Sequence, residues 1–377
     1  MRSLLYTLLI MFGCASFTLQ ADPVKRKKPF IALIGPSSPS NTYWPAVFRV
    51  IDSVARDLDF EFQHFDTGVT DRFILHEMAI KLLKSDRKPD ALIIAVSMGN
   101  AKPVLEVAEQ EKVAVIILGP LFPQELKAVG YTPRSHYKTW IANLDQNEVH
   151  KGYLSAKLLF TRAMAKKYAA KDGKIHLLAL GGQRWWVGSL QREEGLQKAL
   201  REFPQIVLKQ TVPVDWEIAS AEEMTLKLLK RFPEASLVWA ASDAMAEGAV
   251  RAFEQSGRNG KDGRFLVSGI DLSVLGLNNV LSGRTVGTAA MSVLGMGEMV
   301  IYLYDYLKGH DFLSEIGVNI SPETLLATPD NAAQYLSLFN HVDRIDYRRF
   351  SKVYNSDLKK YDFSINTLLE AAQLQKL

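Results

Sequence analysis

Short apolar runs alternate with amphipathic stretches along most of this chain, and this alternation restricts the fold more than any other feature. Near-continuous apolar strands separated by helices are typical of parallel sheets that are covered on both faces. The predicted strands lie at 29–37, 60–68, 91–97, 113–120, 175–182, 206–214, 236–242, 264–271 and 285–292. The predicted helices lie near 44–57, 70–84, 100–111, 147–168, 188–202, 219–231, 243–256 and 293–308. The sequence therefore predicts an α/β fold.

The pattern divides into two series of strands and helices. The first four strand–helix units end before a looser, proline-containing stretch at 119–137, and a second series starts after 139–148. A chain of 377 residues is long enough for two domains. Because ligands of such sheets bind at the carboxyl ends of the strands, the two series predict two similar lobes with binding loops at those ends.

The final segment, 341–377, differs from both series. It is rich in charged and aromatic residues and has weaker periodicity, with one predicted helix near 364–375. Two interpretations are open: a strap packed on the second lobe, or a surface that a partner protein recognises.

The first 21 residues have the pattern of an export signal. Arg2 precedes an apolar stretch at 4–17 that is too short to span a bilayer comfortably, and a cleavage site follows Ala21. Lipidation at Cys14 is an alternative, which the bulky Phe12 disfavours. Cleavage after Ala21 would remove the only cysteine and leave a net charge of +3, because the full chain carries +4 and Arg2 is the only charged residue removed. We expect a soluble protein exported to the periplasm.

Several function classes find no support in the sequence. The metalloprotease, nucleophile-elbow and Walker motifs are absent, and the seven histidines are scattered. We therefore predict no catalytic residue, no metal site and no cofactor. A small net charge without dense clustering in the lobes disfavours nucleic acid as a partner. We expect a monomer that is not an enzyme.

Aromatic and hydrogen-bonding residues lie where several predicted strands end. These residues are Asn41, Tyr43, Trp44, Ser97, Trp185, Trp186, Arg192, Trp216, Ser242 and Asp271. Aromatic faces can stack on a sugar ring or surround a cation, and arginine and aspartate can hold hydroxyls or charges by directional bonds. Because the carboxyl ends of parallel strands share one edge of a sheet, the sequence predicts a ligand cleft there.

The adjacent pair Trp185 and Trp186 poses a narrower question. Neighbouring residues in an extended loop point in opposite directions. We therefore expect one indole to line the cleft and the other to pack on the lobe or meet a partner, with Trp186 preferred for the cleft.

Four segments, in this order, resemble the type I periplasmic binding proteins, in the branch of ribose- and other sugar-binding proteins and the autoinducer-2 receptor. They are "LQREEGLQKAL", "VPVDWEIAS", "WAASDAMAEGAVRAFEQSG" and "VSGIDLSVLGLNNVLSGRTVGTAAMS". The "TPDN" at 328–331 is similar to the closing segment of that family, and the resemblance covers 28–335. It implies two Rossmann-like lobes with parallel sheets, joined by hinge strands and closing over a small ligand.

The resemblance also implies domain bounds and residue roles. The bounds are a signal peptide at 1–21, an N-terminal lobe at 28–143 plus 292–312, a C-terminal lobe at 144–291 plus 313–340, and an extension at 341–377. Tyr43 and Trp44 would sandwich the ligand from the first lobe, and Trp216 would face them. Arg192 and Asp271 would be polar anchors. Asn41 and Ser242 would occupy positions where hydrogen-bonding side chains are usual.

The sequence departs from the family pattern at two places. Gly119 and Pro120 stand where sugar binders often have an Asp-Arg pair, and Met291 stands where a glutamine or asparagine is frequent. Fewer hydrogen-bonding groups predict a ligand with fewer hydroxyls than a simple pentose has. A methylated amine, a modified sugar and a small signalling molecule all stay open.

The function implied by the resemblance is that of an exported solute-binding protein that delivers a small ligand to a membrane transporter. The alternative is a sensory co-receptor that presents the ligand-bound state to a membrane histidine kinase or cyclase. The segment at 341–377 favours this alternative, because it extends beyond the usual end of the family.

Overall fold

The computed structural model describes residues 28–35, 43–66, 72–96, 99–258, 265–291 and 294–374. Within these residues the chain forms two six-stranded sheets, each covered by helices, which gives two α/β lobes as predicted. The predicted export signal at 1–21 lies outside the described residues.

The strands follow the predicted apolar runs closely. Their bounds are β1 Phe30–Gly35, β2 Glu61–Asp66, β3 Ala91–Ala95, β4 Ala114–Leu118, β5 Trp140–Leu144, β6 Ile175–Gly181, β7 Ile206–Pro213, β8 Leu237–Ala240, β9 Leu266–Ile270, β10 Thr288–Met291, β11 Asn319–Ile320 and β12 Thr324–Ala327. Every residue of β1, β3, β4, β6, β8 and β9 is buried, which explains why these strands are almost entirely apolar, with His176 in β6 and Ser268 in β9 as the polar exceptions.

The helices cover both sheets. Their bounds are α1 Trp44–Leu58, α2 Arg72–Leu83, α3 Ala101–Glu111, α4 Pro123–Val129, α5 Glu148–Ala165, α6 Val187–Glu202, α7 Ile218–Arg231, α8 Asp243–Gln255, α9 Val274–Leu281, α10 Leu294–Leu307, α11 Leu313–Ile316, α12 Ala332–Asn340 and α13 Ile365–Ala371. None of the helices in the described part of the chain combines the length and the apolar composition needed to cross a membrane.

The first sheet has the order β11-β5-β4-β3-β1-β2, and all its pairs are parallel. The second sheet has the order β12-β10-β9-β8-β6-β7 and is parallel except for the β10–β12 pair. In both sheets the order of strands reverses beside the first strand of the series. Loops on either side of such a reversal leave a crevice at the carboxyl ends of the strands.

The chain passes between the lobes four times, the last time after α12. It leaves the first sheet after β5 and enters α5, which packs on α6 and β9 of the second lobe. It returns between β10 and α10, which packs on α1, and it crosses again between β11 and β12. The predicted bounds put 313–340 in the second lobe, yet Asn319 and Ile320 pair with β5 of the first sheet. A two-residue edge strand is too short to produce a sequence pattern.

The segment after α12 packs on the first lobe, so the expectation that it straps the second lobe is wrong. The 3-10 turns at 342–344 and 347–350 lie against α1. The carboxylate of Asp305 on α10 is completely buried. It accepts hydrogen bonds from Ser351 Oγ at 2.5 Å, Lys352 N at 2.7 Å and Tyr361 Oη at 2.9 Å. A buried carboxylate needs such donors, and the terminal segment supplies them.

Candidate functional site

Four charged side chains meet at the carboxyl end of the second sheet. Arg192 lies on α6, Glu148 and Lys151 lie in the first turn of α5, and Asp271 directly follows β9. Only 12%, 6%, 3% and 14% of these side chains, in that order, are exposed. We call these four residues the charge cluster.

Arg192 is the centre of the charge cluster. Its Nε donates to Glu148 Oε2 at 2.6 Å and its Nη2 to Glu148 Oε1 at 3.3 Å. Its Nη1 donates to the carbonyl oxygen of Ala241 at 2.5 Å and to Asp271 Oδ1 at 3.3 Å. Lys151 Nζ donates to Glu148 Oε1 at 2.9 Å. A fork-to-fork contact of this kind fixes the plane of the guanidinium.

Two glycines allow α5 and α6 to approach closely enough for these contacts. A Cβ atom at Gly152 would lie 2.1 Å from the carbonyl oxygen of Arg192. A Cβ atom at Gly195 would lie 2.1 Å from the carbonyl oxygen of Val149. Each helix therefore has a glycine where the backbone of the other passes, and the crossing brings Glu148 to Arg192.

Two neighbouring carboxylates, those of Asp271 in the charge cluster and of Asp243 beside it, hold their protons unusually tightly. Burial raises the pKa of Asp271 to about 6, although Arg192 and Lys151 lower it. Burial and the charge of Asp271 raise the pKa of Asp243 to about 7. Asp243 accepts from both the backbone nitrogen and the hydroxyl of Ser273 at 2.8 Å. Asp271 also has a φ of 128°, a strained backbone conformation for a non-glycine residue.

The positive charges of Arg192 and Lys151 determine the ionisation state of Glu148. Burial alone would raise the pKa of Glu148, but Arg192 and Lys151 outweigh it and hold that pKa below its usual value. Burial lowers the pKa of Lys151, and the charge of Glu148 opposes this effect. Glu148 is therefore an ionised carboxylate at neutral pH.

Aromatic rings cover the charge cluster from both lobes. The ring of Trp216 lies 5.6 Å from the guanidinium carbon of Arg192, within the range of a cation–π contact. A Cβ atom at Gly182 would lie 2.1 Å from the Trp216 ring, so only glycine leaves room for the indole there. On the first lobe, burial and the charges of Asp271 and Glu148 raise the pKa of Tyr43 above its usual value. The charges of Asp271 and Glu148 thus act on Tyr43, which lies near the charge cluster.

Trp44 lies beside Tyr43, and their ring centroids are 5.4 Å apart in an edge-to-face arrangement. Trp44 also stacks on Phe48 at 5.7 Å and on His64 at 6.5 Å. Its ring covers the end of β1 at Gly35. The first lobe thus supplies an aromatic group at the carboxyl end of its own sheet, as the sequence predicts.

The two adjacent tryptophans contact each other, so the expectation that they point in opposite directions is wrong. Their ring centroids are 5.2 Å apart. The chain turns at this point, and the backbone nitrogen of Trp186 donates to the carbonyl oxygen of Gln183 at 3.2 Å. Trp186 belongs to the second lobe in sequence but packs against the hydrophobic residues of the first lobe. It therefore bridges the two lobes.

Of the other predicted site residues, Ser242 is described by the structure but is not part of this site. The hydroxyl of Ser242 is buried and accepts from the backbone nitrogen of Met245 at 3.2 Å, which makes Ser242 the N-cap of α8. Asn41 and Ser97 lie outside the described residues. Met291 is buried in β10. Among the described residues, no three His, Cys, Asp or Glu side chains are grouped so that they could hold a metal ion.

The sequence did not predict three residues of this site. They are Glu148, Lys151 and Asp243, which accepts hydrogen bonds from Ser273. A Glu and a Lys three positions apart at the start of a helix are usually a solvated pair. Gly152 and Gly195 are the sequence feature that could have indicated the burial of this pair. They mark the close crossing of α5 and α6, which buries the face of α5 that carries Glu148 and Lys151.

The chain matches the family model described as "Periplasmic binding protein domain" over residues 31–311. It therefore belongs to the periplasmic binding proteins, and the solved structures that it resembles are of type I, as the sequence predicted. A periplasmic sugar-binding protein from Pseudomonas fluorescens is 26% identical, with a TM-score of 0.78 over 90% of this chain and 99% of that one.

Two further similar proteins bind D-allose. The D-allose-binding periplasmic protein of Escherichia coli is 27% identical over 131 residues, which are 35% of this chain and 40% of that protein. The matched stretch thus spans less than half of that relative. A periplasmic solute-binding protein of an ABC transporter from Actinobacillus succinogenes, with bound D-allose, has a TM-score of 0.68 over 82% of this chain and all of that one. At 23% identity this second likeness shows the fold alone. The similar proteins are named as binding proteins and not as enzymes.

Proposed function

We propose that this protein is a periplasmic solute-binding protein that closes its two lobes over a sugar or polyol and delivers it to a membrane ABC transporter. The observation that supports this most directly is the pairing of Arg192 with Asp271 beneath the ring of Trp216, opposite Tyr43. An aromatic face beside directional polar groups suits a ring with apolar C–H faces and hydroxyl edges.

The two lobes contribute different groups to the proposed cleft. Trp216 and the charge cluster belong to the second lobe, and Tyr43 and Trp44 belong to the first. A ligand between them would make contacts in the closed arrangement that the open one does not offer, and this difference would drive closure. The likeness to sugar-binding relatives supports the same ligand class.

A sensory role finds no support in these relatives. The terminal segment had favoured that alternative, but it packs on α1 and its side chains satisfy the buried Asp305. Genes for a permease and an ATPase beside this one would support the transporter proposal. A histidine kinase gene in their place would contradict it.

Ligand binding is tested by titrating the purified protein with D-allose, D-ribose, L-arabinose, xylitol and myo-inositol, followed by tryptophan fluorescence and calorimetry. We expect at least one of these to bind and to raise the melting temperature, because a ligand that binds only the folded state stabilises it. The proposal is contradicted if none changes either signal.

The position of the site is tested with Asp271→Asn. This change keeps the size of the side chain but removes an ionised acceptor, and hydrogen bonds to charged groups contribute about 1.5–3 kcal/mol. We expect affinity to fall roughly 10- to 100-fold. The exposed Glu223→Gln on α7 is the matched control and should bind like the wild type. Equal affinity of the two variants would show that the ligand binds elsewhere.

A further inference from the structure

The charge cluster leaves Arg192 little capacity to hold a charged ligand. A guanidinium has five N–H donors. The contacts to Glu148, to the carbonyl oxygen of Ala241 and to Asp271 use four of them. One N–H on Nη2 is left for a ligand. The arginine that a sugar acid or sugar phosphate would need as a bidentate partner is already engaged by Glu148.

The charges of the cluster also cancel. Arg192 and Lys151 are positive, and Glu148 and Asp271 are negative when ionised. Lys151 is 3% exposed and directs its ammonium to Glu148, so its charge is compensated within the protein. A buried ligand carboxylate would have no uncompensated cation to meet, and an unpaired buried charge is strongly unfavourable.

We propose that Glu148 determines specificity: it neutralises and orients Arg192, so that the cleft accepts uncharged ligands and excludes the corresponding acids. Glu148 is a positioning residue, because it acts through Arg192. This inference rests on the proposed function, since it concerns what the same cleft selects.

Glu148 also affects Asp271 through space. The groups that face Asp271 are Arg192 from α6, Glu148 and Lys151 from α5, Asp243 at the start of α8 and Tyr43 beside α1. The charge of Glu148 disfavours ionisation of Asp271, and the charges of Arg192 and Lys151 favour it. Removing the charge of Glu148 should therefore let Asp271 ionise at lower pH, and removing the charge of Lys151 should have the opposite effect.

The test uses Glu148→Gln in the full protein. Binding is measured by calorimetry between pH 4.5 and 8 for the neutral sugar that the wild type binds best and for its aldonic and uronic acids. We expect the wild type to reject the acids and the variant to lose at least about tenfold of this discrimination, because Arg192 and Lys151 are then left uncompensated. The midpoint of the pH dependence for the neutral sugar should move to lower pH.

Controls separate this role from simple support of the fold. Glu194→Gln removes an exposed carboxylate of α6 that pairs with Lys198 and should behave like the wild type. Glu148→Asp keeps the charge and should keep the selectivity. Lys151→Met should move the pH midpoint upward, and it tests the inference even if Glu148→Gln does not fold. A purely structural role would weaken binding of all ligands equally and leave the midpoint in place.

The outcomes distinguish the two proposals. If the wild type binds no sugar or polyol, the proposed function fails. If the wild type binds a sugar but binds the acid as tightly, the inference is overturned. It is also overturned if Glu148→Gln folds, binds the sugar and keeps the discrimination and pH midpoint of the wild type.

Discussion

Asp271 shows how the position of a residue can be predicted from sequence while its chemistry stays hidden. It directly follows β9, and the pattern of strand ends predicts a polar residue there, whereas Asp243, after β8, was not among the predicted site residues. The sequence does not contain the information that Asp243 is buried or that Asp271 lies near it. Those facts depend on how α8 and α9 pack, and they raise the pKa of both carboxylates.

Because the pKa values of Asp243 and Asp271 are raised in the folded protein, we predict that its stability decreases as the pH rises. The unfolded chain loses the two protons near pH 4, whereas the folded chain keeps them up to about pH 6 and about pH 7. The folded state thus binds more protons between these values, and its free energy of unfolding falls as pH rises through this window. For Asp243, whose pKa rises from 3.8 to about 7, the effect is on the order of 4 kcal/mol.

Asp243→Asn tests this prediction on the ligand-free protein. The variant has no proton to lose at this position, so the decrease in melting temperature between pH 5 and pH 8 should become smaller than in the wild type. The control is the exposed Glu223→Gln, whose pH profile should match that of the wild type. An unchanged slope in Asp243→Asn would contradict the raised pKa.

At the scale of elements, the sequence predicts the strands and the long helices well and the short elements poorly. Nine of the ten strands from β1 to β10 coincide with predicted apolar runs, and β5 is the exception. The helices α4, α9, α11 and α12 and the strands β5, β11 and β12 were missed. These elements are short, and their existence depends on tertiary contacts such as the packing of α12 on α9.

Only two of the four residues of the charge cluster were predicted, for a related reason. Arg192 lies on the helix that follows β6, and Asp271 directly follows β9, so both are near strand ends, where the rule for α/β sheets points to a site. Glu148 and Lys151 lie on a helix, and only the crossing of α5 and α6 turns that face inward. The arrangement of Trp185 and Trp186 was missed because a turn and not an extended loop precedes α6.

The terminal segment makes a prediction at this scale. Ser351→Ala removes one of the donors to the buried carboxylate of Asp305, and an incompletely satisfied buried carboxylate costs about 1–3 kcal/mol. We expect the free energy of unfolding, measured in urea, to fall by about this amount while ligand affinity stays the same. The exposed Ser356→Ala is the matched control. A loss of ligand affinity in Ser351→Ala would show that the segment acts on the cleft.

At the scale of the whole molecule, two of the four crossings between the lobes touch. A Cβ atom at Gly295, near the start of α10, would lie 2.8 Å from Cβ of Pro322 in the link between β11 and β12. Lobe closure requires these links to bend together, and their close packing at this point limits how they move.

Gly295→Ala should therefore change the balance between open and closed forms without touching the cleft. We expect affinity to fall about tenfold, equivalent to 1.4 kcal/mol, and the ligand-induced decrease in radius of gyration to become smaller in X-ray scattering. Gly297→Ala is the control, because its Cβ would meet Val50 within the first lobe. That variant should lose stability but close normally, and equal affinities of the two variants would contradict the prediction.

The return of the terminal segment to α1 and α10 has a consequence for biogenesis. The first lobe is assembled from three separated stretches of chain, which include β1 to β5, α10 to β11 and the turns after α12. The second lobe consists of one long stretch and β12. During synthesis or secretion the second lobe can fold as soon as its strands have emerged, whereas the first must wait for residues beyond 340. The lobe that is synthesised first is thus completed last, after the strands of the second lobe have emerged.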